Sequence, residues 1–221
     1  MHKHTLIAAL VSIAATLAPG CTYDEGYDDV PTDSLYARLG TREALVLEPT
    51  SLVGVNAYDD DGNPLPCVQP TVTGGDAMLR STKTGLLLVE ALQIHLTDVT
   101  IQPGVLHSEP VRLTDIELRL GTQIVIEADW SDDGLHAEGV GRADLLMDWA
   151  VLSDQDEVLP LATQKLRQVE FTVRADLDDQ GDIHVQVYGE VEGKIGGFAN
   201  RIELSDFSMA VNAVTAAPAP L

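Results

Sequence analysis

From residue 85 onward, apolar and polar positions alternate with a period of two, the signature of strands with one dry face. The clearest run is 183–195, where Ile183, Val185, Val187, Gly189, Val191, Gly193 and Ile195 interleave with His184, Gln186, Tyr188, Glu190, Glu192 and Lys194. Its partner is 169–177, with Val169, Phe171, Val173, Ala175 and Leu177 on one face, and the turn signal "DDQGD" joins the two into a hairpin. A second hairpin runs from "QIVIEADW" (123–130) through "SDDG" into 135–152, where Leu135, Ala137, Gly139, Gly141, Ala143, Leu145, Met147, Trp149 and Val151 share a face. That last strand is far longer than the usual 5–6 residues or so. Only "LATQKLR" (161–167) suggests a helical period. The expected fold is therefore all-β, with long antiparallel strands.

The alternation slips phase in three places. Leu92, Ile94 and Leu96 give way to Val99 and Ile101 at Thr97-Asp98; Val111 and Leu113 give way to Ile116, Leu118 and Leu120 at Thr114-Asp115; "IELSDFSMAV" slips at Ser205-Asp206. Each slip has the form Leu-[Ser/Thr]-Asp-apolar. One extra residue restores the apolar face, so each slip predicts a β-bulge, whose unpaired backbone groups Ser, Thr and Asp can bond. Bulges at comparable heights would bend the strands into a curled sheet, a sandwich or a barrel.

Glycines add a geometric expectation. Pairing Trp130 with Leu135 sets Gly139 opposite Ile126 and Gly141 opposite Ile124; pairing Leu177 with Ile183 sets Gly189 opposite Phe171. Strand glycines mark either curvature or close approach of another group. Under the second reading Gly139, Gly141 and Gly189, with Leu145, Met147, Trp149 and Phe171, line a ligand site.

The chain has 221 residues and a formal net charge of −22, which repels nucleic acid and anionic lipid headgroups and serves as a solubilising coat. At the N-terminus, a short basic lead precedes the apolar run "LIAALVSIAATLA", long enough for a signal-peptide core and too short to span a bilayer. The acidic stretch "TYDEGYDDVPTDS" (22–34) reads as a tether, 35–214 as one β domain, and 215–221 as a disordered tail.

Three resemblances extend this reading. "LAPGC" resembles the bacterial lipobox, which implies removal of residues 1–20, lipidation of Cys21 and attachment to a membrane through that lipid; cleavage by ordinary signal peptidase is the rival. Thr22 after the cysteine, where Asp would imply inner-membrane retention by resemblance to the enterobacterial sorting rule, implies the outer membrane. "VNAYDDDGNPLPCVQPTVT" (55–73) resembles the hairpin of bacterial immunoglobulin-like modules, so 35–84 is either a small β unit or the first strands of the same sheet. "IHLTDVTI", "VRLTDIELRL", "IELSDFSMAV" and the strand ending "LLMDWAVL" give 85–214 a resemblance to the tubular lipid-binding superfamily that includes bactericidal permeability-increasing proteins, which implies non-catalytic binding of acyl chains.

No nucleophile elbow, phosphate loop, H-E-x-x-H or paired-cysteine spacing occurs. With Cys21 acylated, Cys67 stands alone as a small hydrophobe; a disulfide between the two is the alternative. After processing the histidines are His95, His107, His136 and His184, and His136 with Glu138 could offer at most two metal ligands. The acidic stretches 176–187 and 59–63 lack the ligand pattern of a calcium loop and read as turns. No enzyme, metal or cofactor is expected. Two functions remain: an envelope protein that binds lipid or another hydrophobe, or a structural or adhesion module with a solid core. Cavity volume separates them, since a carrier needs roughly 300–1,000 Å³ of lined space.

Overall fold

The computed structural model describes residues 33–59, 61–65, 70–103, 108–152, 157–198 and 202–216. The leader with Cys21, the tether up to residue 32, Cys67, His107 and residues 217–221 lie outside these.

The alternating runs become strands β1 (Glu43–Leu47), β2 (Leu52–Asp59), β3 (Val72–Ser81), β4 (Leu86–Leu96), β5 (Val99–Ile101), β6 (Val111–Leu120), β7 (Ile124–Glu127), β8 (Asp129–Trp130), β9 (His136–Leu152), β10 (Val158–Pro160), β11 (Gln164–Leu177), β12 (Ile183–Phe198) and β13 (Ile202–Thr215). Eight of them close an antiparallel barrel in the order β9, β11, β12, β13, β1, β3, β4, β6 and back to β9. The first expected hairpin forms, β11 with β12 in the register Leu177 to Ile183; of the second only β8 pairs β9, with Trp130 across from Ala137 instead of Leu135, while β7 pairs β4. The first three strands belong to this sheet, since β1 bridges β13 and β3 while β2 pairs β13. The stretch that suggested a helical period runs into β11, where Leu166 is buried between exposed Lys165 and Arg167. Its pattern is that of a strand.

Alternation fixes the polarity of the wall. Leu79, Leu87, Val89, Leu118, Val173, Ala175, Ile183 and Val185 fill the interior. Arg142 pairs with Glu170, Lys165 with Asp144, and Arg174 with Asp176 on the outside. A membrane-spanning barrel carries an outward apolar band around a polar lumen. This one has the reverse arrangement.

One end is plugged. Ser34 caps the single-turn helix α1 (Leu35–Arg38), and Leu35 and Leu39 are fully buried beneath it. Leu35 N–H donates to Gly134 O (2.8 Å), Ser81 N–H to Leu39 O (2.7 Å), and the Arg38 guanidinium to Gly181 O (2.9 Å), which ties this segment to two hairpin turns and the end of β3. Trp130 completes the seal, donating its indole N–H to Gly85 O at 2.8 Å with Tyr36 edge-on to its ring.

Two of the three phase slips, at Asp115 and Asp206, are bulges, and the third, at Thr97-Asp98, is a break between β4 and β5. Asp115 and Asp206 take left-handed φ values of 51° and 50°, a region Asp tolerates better than most residues. At Asp115 the ladder between β6 and β9 gains one residue. On its other side β6 meets the break between β4 and β5: Gln93 pairs Arg119 before it and Val99 pairs Leu113 after it, so two facing interruptions cancel and the register survives. The bulge at Asp206 faces Gly193 (φ 78°), where β12 also shifts register. A further bulge, not foreseen from the sequence, lies at Gln168 (φ 54°), whose N–H donates to Asp144 on β9 at 3.1 Å.

Candidate functional site

Above this belt of bulges several strands change partner. β13 leaves β1 and pairs with β2, β9 pairs β10 and β6 at Ala150–Leu152, and β5 extends β6. The closed ring thus gives way to two sheet flaps, β5–β6–β9–β10 and β12–β13–β2. Thr71 and Thr97 mark the foot of the opening: Thr97 N–H donates to Thr71 O at 2.8 Å and Thr71 N–H to Thr97 Oγ1 at 2.9 Å.

An apolar cleft lies between the flaps. Val99, Ile101, Leu113, Ile116, Met147 and Trp149 line it from one side, Val53, Val55, Ala57, Leu204 and Phe207 from the other, with Leu65, Pro70 and Leu96 at its floor and edge. Every lining side chain is apolar. All six apolar residues of the Leu-[Ser/Thr]-Asp-apolar motifs are among them: Leu96 and Val99, Leu113 and Ile116, Leu204 and Phe207. The bulge is the cause. Residues three apart in a regular strand face opposite ways, whereas the extra residue turns both flanks of the motif inward. The free space is about 70 Å³, well below the roughly 300–1,000 Å³ of a carrier's cavity, so by volume the molecule is nearer to the solid-core alternative. At the ~10–15 Å³ that one water-sized sphere requires, that is room for a few atoms of a chain, a slot instead of a lumen.

The ligand-site residues expected from the sequence separate into two groups. Met147 and Trp149 line the cleft. Leu145 and Phe171 are fully buried in the barrel core. The three glycines do not offer floor space for a ligand, because neighbouring side chains already occupy it. A Cβ on Gly141 would lie 2.6 Å from Ile124 Cγ2, one on Gly139 would collide with Ile126 Cγ2, and one on Gly189 would lie 2.8 Å from the Phe171 ring. The anticipated neighbours are right in all three cases, and the neighbour itself fills the space. Residues of β2 and of the motif flanks escaped sequence reasoning as cleft residues. The available signal was the motif, three times repeated and read only as a source of curvature.

The polar side chains build structure around the cleft. Asp206 Oδ1 accepts the Gly193 N–H at 2.8 Å, and its Oδ2 accepts from Asn56 at 3.2 Å and Ser205 at 2.9 Å, which joins β12, β13 and β2. These bonds, the Gly193 N–H first, hold its carboxyl below the ordinary value. Asp144 is lowered likewise by Lys165 and then by the Gln168 N–H. His136 lies 2.5 Å from Asp176 across the ladder, a cross-strand pair that involves Asp176 and not Glu138. Among the described residues no three His, Cys, Asp or Glu side chains converge on a metal-sized site. Asp59 and Asp178 close turns, each accepting backbone N–H groups two and four residues on.

No protein-family model matches the chain, and no curated protein matches it by sequence. Among solved structures, that of Ail, the attachment invasion locus protein of Yersinia pestis, in complex with the heparin analogue sucrose octasulfate, is similar at a TM-score of 0.43 and 6% identity, over 78% of this chain and 97% of that one.

Proposed function

We propose that the protein binds, without catalysis, part of an apolar chain in the cleft between the two flaps, and that an N-terminal lipid on Cys21 holds it in the cell envelope, at the outer membrane. The observation that carries the ligand reading is the convergence of all three bulge motifs on one wholly apolar slot. Apolar surface left against water costs about 25 cal/mol per Å², so a slot of this kind gains from an apolar occupant. The small volume favours one acyl-chain end or a comparable group over bulk cargo. A second reading, a structural or adhesion module, is supported by the filled barrel below the belt, where Phe171, Leu145, Ile124 and Ile126 leave no exposed surface.

The two tryptophans separate these readings, because Trp149 lines the cleft and Trp130 seals the opposite end. A fatty acid brominated near its methyl end should quench the emission of a Trp130→Phe variant, which retains Trp149, and leave that of Trp149→Phe unchanged. Equal quenching of both, or of neither, would favour the structural module.

A further inference from the structure

The outer wall carries a second surface, which adjoins the cleft at Val53 and Pro70. Tracing the ladders across five strands gives one outward-facing row, Val140, Thr172, Tyr188, Ala210 and Leu52, each paired with the next. Val140, Tyr188 and Leu52 are 54%, 45% and 69% exposed, three of the larger apolar or aromatic side chains left to solvent, aligned in a single row. Scattered exposed hydrophobes are ordinary; an aligned row is not. The adjoining row, Arg142, Glu170, Glu190, Ser208 and Gly54, is polar.

The central part of both rows forms the floor of a trough of about 640 Å³, walled on one side by the chain at Pro49 and Ser51 and at Pro70 and Thr71. Four of its polar groups are uncommitted, whereas the Ser51 hydroxyl is bonded to the Asn212 backbone. Arg142 binds Glu170 at 2.7 Å, but Glu190, directly across from Glu170, has no ion-pair or hydrogen-bond partner among the described residues, nor do Thr172, Tyr188 and Ser208. Like charges directly opposite one another destabilise a sheet. Arg142 neutralises one of the two and leaves Glu190 as an available acceptor.

From this geometry we infer that the trough binds a neutral oligosaccharide of pyranose units. A pyranose presents an apolar C–H face and a rim of hydroxyls. The exposed Tyr188 ring supplies a flat surface for the face, and Glu190, Thr172, Ser208 and the Tyr188 hydroxyl supply acceptors and donors for the rim. An acyl chain would leave those four polar groups without partners. A sulfated or carboxylated glycan would meet the unpaired Glu190 carboxylate on a chain of net charge −22.

The full-length protein should be applied to an array of neutral, sulfated and sialylated glycans, and the strongest neutral binder titrated by calorimetry. Tyr188→Ala should weaken that binding at least tenfold, Tyr188→Phe by severalfold at most, and Glu190→Gln by an intermediate factor. Because Tyr188 is exposed, all three variants should melt with the wild type. Quenching of Trp149 by the brominated fatty acid should be unchanged in Tyr188→Ala, so failure of the cleft and failure of the trough are read separately. Binding confined to anionic glycans, no binding to any neutral glycan, or affinity indifferent to Tyr188→Ala would each overturn the assignment.

Discussion

Asp206 and Gly193 sit in facing bulges on adjacent strands, and the carboxylate of one accepts the backbone N–H of the other at 2.8 Å. Each bulge leaves ladder groups unpaired, and the two resolve the problem jointly. The same carboxylate reaches Asn56 on β2, so it also fixes one flap of the cleft.

That arrangement has a pH signature. The folded carboxyl is held below its ordinary value of about 3.9, so the stabilisation it provides is fully present above that value and is lost as pH falls through the lower folded one. Asp206→Asn should lower the urea midpoint at pH 7, and the gap to wild type should narrow by pH 3. A constant gap would show that the titrating charge is irrelevant.

Asp115 tests the bulge by conformation instead of charge. Its φ of 51° suits glycine and penalises a β-branched side chain. Asp115→Gly should leave the melting temperature unchanged or slightly raised, whereas Asp115→Val should cost about 1–2 kcal/mol in denaturant titrations. If the two variants behave alike, the left-handed conformation is absent in solution.

Gly141 distinguishes a packed wall from a ligand floor. A side chain there would meet Ile124 Cγ2 at 2.6 Å and Val125 O at 2.7 Å. Gly141→Val should destabilise by about 1–3 kcal/mol or more through overpacking. Adding Ile124→Ala should recover only part, since the carbonyl remains in place. Full stability of Gly141→Val would mean that the space is open.

Attachment is tested at Cys21. Cys21→Ser should abolish labelling by radioactive fatty acid and move the protein from the membrane to the soluble fraction. Unchanged fractionation would discard the lipid anchor.

Much of the fold follows from local pattern. Period-two alternation from residue 85 specifies the strands and which face is dry, and the Asn/Asp/Gly turns specify the hairpins, because both depend on side chains a few positions apart. Leu-[Ser/Thr]-Asp-apolar marks the bulges for the same reason. The bulge at Gln168 was not legible: "LRQV" carries no Asp at the bulge itself, and the group that accepts the Gln168 N–H is Asp144, supplied by β9.

Tertiary structure decided the remainder. Whether a strand glycine offers space depends on what stands across from it, and closure of the barrel seats Ile124, Ile126 and Phe171 against Gly141, Gly139 and Gly189. Sequence alone placed Met147 and Trp149 on an apolar face, but not at its open end. Only the exchange of partners above the bulges brings them against Leu204 and Phe207, which are distant in sequence. A bulge motif records the direction in which its flanking side chains turn. The packing of the other strands determines what those side chains meet.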